Sequence, residues 1–285
     1  MKTPDKIERA GDALIQHGHL NKRVYIMKVG DSDPCRLIEM TERLAVTNGY
    51  TKIFAKVPET RSIGFLQSGY TTEASIPGFF RGREKALFLC KYFLDSRRIE
   101  KQEKELDRIE ELAKRQKSME RTEWGDDSPF LLRPCTPHDA SCMSDLYGRV
   151  FPSYPFPIDR PDYVLKTMES HVDYFCVEYR GKLIALASAE LDRKEKNVEM
   201  TDFATLPEWE GNGLGQHLLS VMETAVKKKG IKTAYTIARA ASAGINIIFS
   251  KQGYRFGGRL INNTNISGCI ESMNVWYKSL YSDTK

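Results

Sequence analysis

Along the chain, apolar residues fall into short runs of period two or of period 3.6, separated by glycine and proline. Residues 22 to 29 (K-R-V-Y-I-M-K-V) alternate enough for a strand. Pro34 to Val46 puts Leu37, Met40, Leu44 and Ala45 on one helical face, and Asn48-Gly49 is its stop signal. Tyr50 to Val57 reads as a strand ended by Pro58, and Glu59 to Ser68 as a short helix closed by the turn Gly69-Tyr70. Ala86 to Leu94 reads as a buried strand. Ser96 to Arg121 is dense in charge, with a narrow stripe of Ile99, Leu106, Ile109 and Ala113. Glu100/Lys104, Glu110/Lys114 and Glu111/Arg115 stand four apart, the spacing of helical ion pairs, so a helical connector resting one face on a domain is predicted.

Trp124 to Pro129 marks a boundary, after which Leu131 to Pro134 starts a new strand. Residues 137–151 predict a helix behind a cap at His138 or Asp139, 152–161 a loop of prolines and aromatics, and Pro161 to Ser170 a second helix. Tyr174 to Tyr179 and Leu183 to Glu190 form a hairpin about Gly181. The strand Val198 to Leu206 follows, ended by Pro207. Gly211, Gly213 and Gly215 then open a helix whose apolar face is Leu214, Leu218, Leu219, Met222, Ala225 and Val226. The pattern closes with a strand Thr233 to Ala238, a helix near Ala243 to Lys251, the pair Gly253-Tyr254, and strands near Arg255 to Leu260 and Ser272 to Tyr277.

Two stretches share an order. L-I-E-M-T-E-R-L-A-V-T-N-G-Y-T-K-I-F-A-K-V (37–57) matches L-L-S-V-M-E-T-A-V-K-K-K-G-I-K-T-A-Y-T-I-A (218–238), and G-F-L-Q-S-G-Y (64–70) matches I-F-S-K-Q-G-Y (248–254). In the first copy Gly30-Asp31-Ser32-Asp33-Pro34 stands where the second has its glycine turn. Residues 1–95 therefore read as a shortened half of the same fold without that turn, 96–128 as a charged helical linker and 129–285 as the complete domain; two unrelated α/β segments would be the plainer account.

Composition narrows the classes. With 285 residues, 41% of them hydrophobic, the chain can bury one large or two ordinary cores. The balance of 43 basic against 38 acidic residues is mild and forms no basic stripe with interleaved aromatics, so nucleic acid is not an expected partner. Six cysteines (Cys35, Cys90, Cys135, Cys142, Cys176 and Cys269) make no C-x-x-C pair and no Cys/His ligand spacing. No metal is expected, and scattered thiols fit a reducing compartment. The first residues lack the apolar core of a signal peptide and no apolar run has membrane-spanning length, so a cytoplasmic protein without membrane attachment is expected.

The strand, glycine turn and helix make a place for phosphate: backbone N–H groups and the helix dipole both favour an anion there. The spacing is neither G-x-G-x-x-G nor a P-loop, and such turns also occur without a ligand. The run Glu210-Gly211-Asn212-Gly213-Leu214-Gly215 after L-P-E-W resembles the acyl-CoA motif of the GNAT acetyltransferases, with Glu210 where that family has Gln or Arg. The element order β-α-α-β-β-β-α-β-α-β-β over residues 130 to 278 is also that of a GNAT domain, which implies a mixed α/β sheet and acetyl-CoA as co-substrate. The resemblance puts the diphosphate on Glu210 to Gly215 and a backbone oxyanion donor among Phe203, Ala204 and Thr205. It puts the pantetheine arm near Asn246 and Phe249, and the general base at Glu199. An alkyl ammonium titrates near about 10.4 and must lose a proton before it attacks. Asp202 is the second carboxylate, on the opposite face if the strand is regular, although the bulge that the resemblance implies here would change that. Either acid fits equally a salt-bridged surface position or a role in binding the acceptor's ammonium groups. Phe249 stands where the family has an acidic tyrosine, which leaves Tyr254, Tyr235 or a water to protonate the thiolate.

Tyr154, Pro155, Phe156 and Pro157 lie where the fold implies an acceptor wall, Tyr154 and Phe156 being the candidates for contact. The tail I-N-N-T-N-I-S-G-C-I-E-S-M-N-V-W-Y-K (261–278) offers Asn263, Asn265 and Asn274 to a small zwitterion, although amides also build turns. With F-L-Q-S-G-Y, Y-P-F-P-I and E-M-T-D-F-A-T-L-P-E, this tail is similar to the β-lysine N6-acetyltransferase family, which implies acetylation of a diamino acid. Another small amine, a protein amine, or acyl-CoA sensing without turnover stay open, as does a homodimer.

Overall fold

The computed structural model describes residues 5–117 and 128–281, so the end of the predicted connector (118–121) and most of the predicted boundary (124–127) lie outside the described residues. The N-terminal half holds β1 (Lys6–Ala10), β2 (Ala13–Gly18), β3 (Arg23–Lys28), α1 (Pro34–Thr47), β4 (Lys52–Pro58), α2 (Ile63–Gln67), β5 (Thr71–Phe80) and β6 (Glu84–Tyr92). A short α3 (Asp95–Arg98) and α4 (Glu103–Lys114) follow. The C-terminal half holds β7 (Phe130–Pro134), α5 (Ala140–Val150), α6 (Pro161–Met168), β8 (Val172–Tyr179), β9 (Lys182–Asp192) and β10 (Asn197–Thr205). It ends with α7 (Leu214–Lys228), β11 (Thr233–Arg239), α8 (Ala243–Lys251), β12 (Arg255–Ile266) and β13 (Cys269–Ser279).

All thirteen strands form one sheet, in the order β1-β2-β3-β4-β6-β5-β12-β13-β11-β10-β9-β8-β7. The order 1-2-3-4-6-5 recurs as 8-9-10-11-13-12, with β3–β4 and β10–β11 the parallel pairs of each copy. The copies meet edge to edge where β5 runs antiparallel to β12, at the pair Ala74–Gly258. That seam needs glycine. A Cβ on Gly258, at φ +138°, would lie 2.2 Å from the Glu73 carbonyl oxygen, and one on Gly257 2.8 Å from that of Ser75.

The sheet curls back on itself. β3 and β9 are eight strand spacings apart in the order, about 38 Å if the sheet were flat. Yet Lys28 and Asp192 pair at 2.7 Å, and the Gln16 amide reaches the Pro155 carbonyl at 3.3 Å. Each half has its own apolar core, and a third cluster of Tyr25, Phe54, Phe88, Tyr235, Leu260 and Val275 joins them. The charged segment is more than a spacer: Arg97 is buried and donates to Asn262 O, Thr51 Oγ1 and Asn21 O. From β12, Arg259 holds α4 through Asp107 (2.7 Å) and Glu110 (2.6 Å). Of the three predicted ion pairs, those of Glu110 and Glu111 form, whereas Glu100 precedes the helix and accepts from Ser272.

Some elements escape the pattern. β1 is an edge strand of largely exposed polar residues, and β2 buries Gln16 and His17, so neither presents an apolar alternation. β5 contains Pro77 and Gly78 and is bulged twice against β6. β12 and β13 run longer than predicted, because their polar ends pair as a hairpin across Ser267-Gly268. Before α5 the cap is Thr136 and not the predicted His138 or Asp139: Thr136 and Asp139 bond each other in a capping box across a 3₁₀ turn.

Candidate active site

The inner surface of the curl encloses a cavity of about 1830 Å³ walled by both halves. At one end, β10 pairs with β11 only from Asn197 to Glu199, and the two strands then part. The rest of that β10 edge, including Phe203 and Thr205, lines the cavity. Beyond it the turn brings Gly211 (φ +81°) and Gly213 (φ +71°) to the cavity wall, and α7 starts at Leu214 with Gly213 as its cap. No acidic residue occupies the first turn of α7, so its free N–H groups present positive potential to this end. A Cβ on Gly215 would lie 2.9 Å from Ile248 Cδ1, so this glycine lets α7 settle against α8. The parted strands offer backbone donors to an extended amide chain, and the helix start offers them to a diphosphate; together they fit a bound acyl-CoA. Glu210 is exposed at this rim.

Where the strands begin to part, Glu199 faces the cavity. Its Oε2 accepts from the Tyr235 hydroxyl at 2.8 Å, and that hydroxyl accepts from Lys56 Nζ at 2.8 Å. Lys56 belongs to β4, so the relay crosses from one half to the other. Burial raises the Glu199 carboxyl to about 7; the Lys56 charge opposes that rise and neighbouring Glu190 adds to it. A carboxyl that titrates near neutrality beside an open cavity is suited to take a proton from an ammonium. Burial alone would lower the Lys56 ammonium, but Tyr235, Tyr25 and Glu199 hold it above its ordinary value, so it stays charged.

Asp202 corrects the regular-strand expectation. A bulge between Thr201 and Ala204 gives Asp202 a φ of +54° and turns its carboxylate into the same cavity as Glu199. There it accepts from the Tyr154 hydroxyl at 2.5 Å and from Ser188. Burial raises its pKa, and these bonds lower it in part. Tyr154 and Phe156 line the cavity from the proline-rich loop, and Asn263 lines it from β12.

Several predicted residues stand off the cavity. Tyr254 is 4% exposed, packs edge-on to Phe249 at 4.9 Å and lies under Lys278, so its hydroxyl cannot reach a leaving thiolate. Phe249 is wholly buried behind Phe203. Asn246 is a buried strut: its Nδ2 donates to Arg239 O and Ser242 O, and its Oδ1 accepts from Asn274 and Trp276. Asn274 is spent on Asn246 and Arg259. Asn265 ties Asn21 and Ser153 together. Asn212 turns its amide onto the Trp209 and Glu210 carbonyls, and Ala204 is buried in the ladder against Leu186. Buried amides bond the surrounding protein here because unpaired donors and acceptors are costly.

Cavity residues absent from the predicted set include Lys56, Arg23 and Tyr25 from the N-terminal half and Glu190 from β9. Lys56 stands at alternate positions with Lys52 and Phe54 along β4. A lysine and an arginine on the apolar-facing side of two strands was the available signal, legible only once those faces are known to be inward.

Comparison with known proteins agrees with this geometry. Residues 141–254 match the model of the Acetyltransferase (GNAT) family. The chain is 41% identical over 274 residues to the beta-lysine N(6)-acetyltransferase of Methanococcus maripaludis, covering 96% of this chain and 98% of the relative. It is 34% identical over 256 residues to the protein of the same name from Methanosarcina mazei, covering 83% and 94%. It is 30% identical over 269 residues to the N-acetyltransferase YodP of Bacillus subtilis, covering 94% and 96%. The chain belongs to the GNAT acetyltransferases and, within them, to the family of the proteins named beta-lysine N(6)-acetyltransferase. It is an acetyl-CoA-dependent N-acetyltransferase that moves acetyl to an amine. Among the described residues no helix is long and apolar enough to cross a membrane.

Proposed function

We propose that the acceptor is β-lysine and the product N6-acetyl-β-lysine, a compatible solute made in the cytoplasm. One observation carries the reading: the similarity to the methanogen enzymes runs through both halves, and both halves wall the cavity in which the acceptor must sit. Acetyl-CoA lies with its diphosphate on Gly211 to Gly215 and its thioester at the parting of β10 and β11. Glu199 removes the proton from the side-chain ammonium. The freed amine attacks the thioester carbonyl, whose developing oxyanion is met by backbone N–H groups freed by the β10 bulge. Asp202, held by Tyr154 and Ser188, adds negative charge for an ammonium. Collapse of the oxyanion breaks the C–S bond, and CoA leaves as a thiolate that takes up a proton from water or from Tyr235, which lines the cavity where the buried Tyr254 does not. Residues 1–95 act in this scheme as an acceptor wall, 96–128 as the brace between the halves and 129–285 as the acyl-CoA domain. The acceptor is a small molecule, and neither nucleic acid nor metal enters the scheme.

Free-thiol release from acetyl-CoA tests the proposal, using β-lysine, α-lysine, ornithine, spermidine and a peptide as acceptors. Turnover concentrated on β-lysine, with acetyl found on N6 by mass spectrometry, is the expected result. Preference for spermidine or the peptide would refute it.

A further inference from the structure

Arg23 sits on the cavity wall at 4% exposure, with no described carboxylate at ion-pair distance, although Asp5 and Glu199 act on its charge from further away. Its Nη1 donates to Asn263 O at 2.7 Å and to Thr264 Oγ1 at 3.0 Å. Its Nη2 has only a long contact of 3.5 Å to Gln16 Oε1, and its Nε is buried without a partner. The neighbouring buried cations differ. Arg97 has all three nitrogens bonded to oxygen acceptors, and Lys52 pairs with Glu73 at 2.9 Å. What sets Arg23 apart is the unbonded edge of its guanidinium: a buried charged donor without an acceptor is costly unless a ligand supplies one. Nε and Nη2 form the edge of the guanidinium that grips a carboxylate with two parallel bonds.

A second orphan lies beside it. Asn263 Oδ1 is buried and unpartnered, although Asn263 also lines the cavity. The Tyr25 ring lies 5.2 Å from Arg23 Cζ and 5.6 Å from Lys56 Nζ, so the guanidinium and the start of the Lys56–Tyr235–Glu199 relay are at most about 11 Å apart. Arg23 and Glu199 line the same cavity, so one acceptor can lie between them.

We infer that Arg23 is the carboxylate-binding residue of the acceptor site, with Asn263 Oδ1 receiving the ammonium next to that carboxylate. The acceptor's head group is thereby pinned on the N-terminal half, and only its distal amine reaches Glu199. This explains why a half without a cofactor turn is part of the enzyme, and it makes the distal nitrogen the one acetylated. The inference rests on the amino-acid acceptor proposed above, but its test separates the two.

The test compares wild type with Arg23→Gln and Arg23→Lys on β-lysine, α-lysine and 1,4-diaminopentane, which is β-lysine without its carboxylate. In wild type, kcat/KM should favour the amino acid. Arg23→Gln should raise its KM about a hundredfold, the loss of two charge-assisted bonds, with kcat changed far less. The same variant should leave kcat/KM for 1,4-diaminopentane unchanged, which shows in one measurement that it folds and binds acetyl-CoA. Calorimetric binding of β-lysine and α-lysine, which needs no turnover, should weaken in the same ratio. A variant that loses the acid and the diamine alike, or a wild type that prefers the diamine, overturns the assignment. If α-lysine rather than β-lysine is the substrate and depends on Arg23, the acceptor proposal fails and the carboxylate site stands. If β-lysine is acetylated equally well by Arg23→Gln, the reverse holds.

Discussion

Replacing Lys56 by methionine removes one charge from the relay and leaves most of the side-chain volume. Two bonds of 2.8 Å link Lys56 Nζ through Tyr235 to Glu199 Oε2, so the ammonium and the carboxylate are at most 5.6 Å apart. At an effective dielectric between about 20 and about 40, that attraction is roughly 1.5–3 kcal/mol in favour of the ionised acid. The sign follows directly. Glu199 serves as a base only when ionised, Lys56 holds its pKa down against burial, and its removal raises that pKa above about 7. The acid limb of kcat should therefore move up by about one to two pH units. At pH 7 the rate should fall about five- to fiftyfold, and by about pH 9 it should recover to between about half and about nine-tenths of its plateau. Thiol release at saturating acetyl-CoA and acceptor from pH 5.5 to 10 measures it, with near-ultraviolet circular dichroism as the check on folding. A limb that stays where the wild type has it, or a loss that no increase in pH repairs, would refute the electrostatic coupling of the two halves.

Glu199→Gln should lower kcat by about 10² to 10⁴ and abolish the limb near pH 7 altogether, because the base itself is gone; turnover within threefold of wild type would clear Glu199 of that role. Asn246→Ala should cost about 2–4 kcal/mol in chemical unfolding, from the stranded donors of Asn274 and Trp276 and two lost bonds to carbonyls that keep a backbone partner, while the KM for acetyl-CoA stays within a few-fold; a stable variant with weakened acetyl-CoA binding would restore Asn246 to the cofactor site. Gly258→Val should open the seam, since any Cβ there collides with the Glu73 and Ala74 backbone; limited proteolysis should then cut between the halves and turnover should vanish, whereas an intact, active protein would show that the seam is dispensable.

The acyl-CoA end of the site was readable in the chain. A strand, a proline stop and glycines at 211, 213 and 215 before a helix are local features, and local φ/ψ demands and dipole direction follow from them with little help from the rest of the fold. Glu199 was singled out only through the resemblance to the GNAT family, and the fold puts it on the cavity wall. The topological echo between residues 37–70 and 218–254 was equally local in origin, because helix stops and strand runs are written in contiguous residues.

What only the tertiary structure decided lies across the seam. Whether Asn246, Asn265 and Asn274 face a ligand or the protein depends on which buried donors and acceptors surround them, and the fold gives Asn246 to two backbone carbonyls and to Asn274 and Trp276, Asn274 to Asn246 and Arg259, and Asn265 to Ser153. Tyr254 looked available for acid chemistry until the packing of α8 against α7 placed it in the core. Asp202 reached the cavity through a bulge that the family resemblance allowed for and that no residue type in the strand marks. Arg23 and Lys56 are far from Glu199 in sequence and on strands that read as ordinary. A charged side chain on a strand gives no sign of which face will be enclosed. The curl of the thirteen-stranded sheet encloses that face, and it sets two cations of one half against the carboxylates of the other.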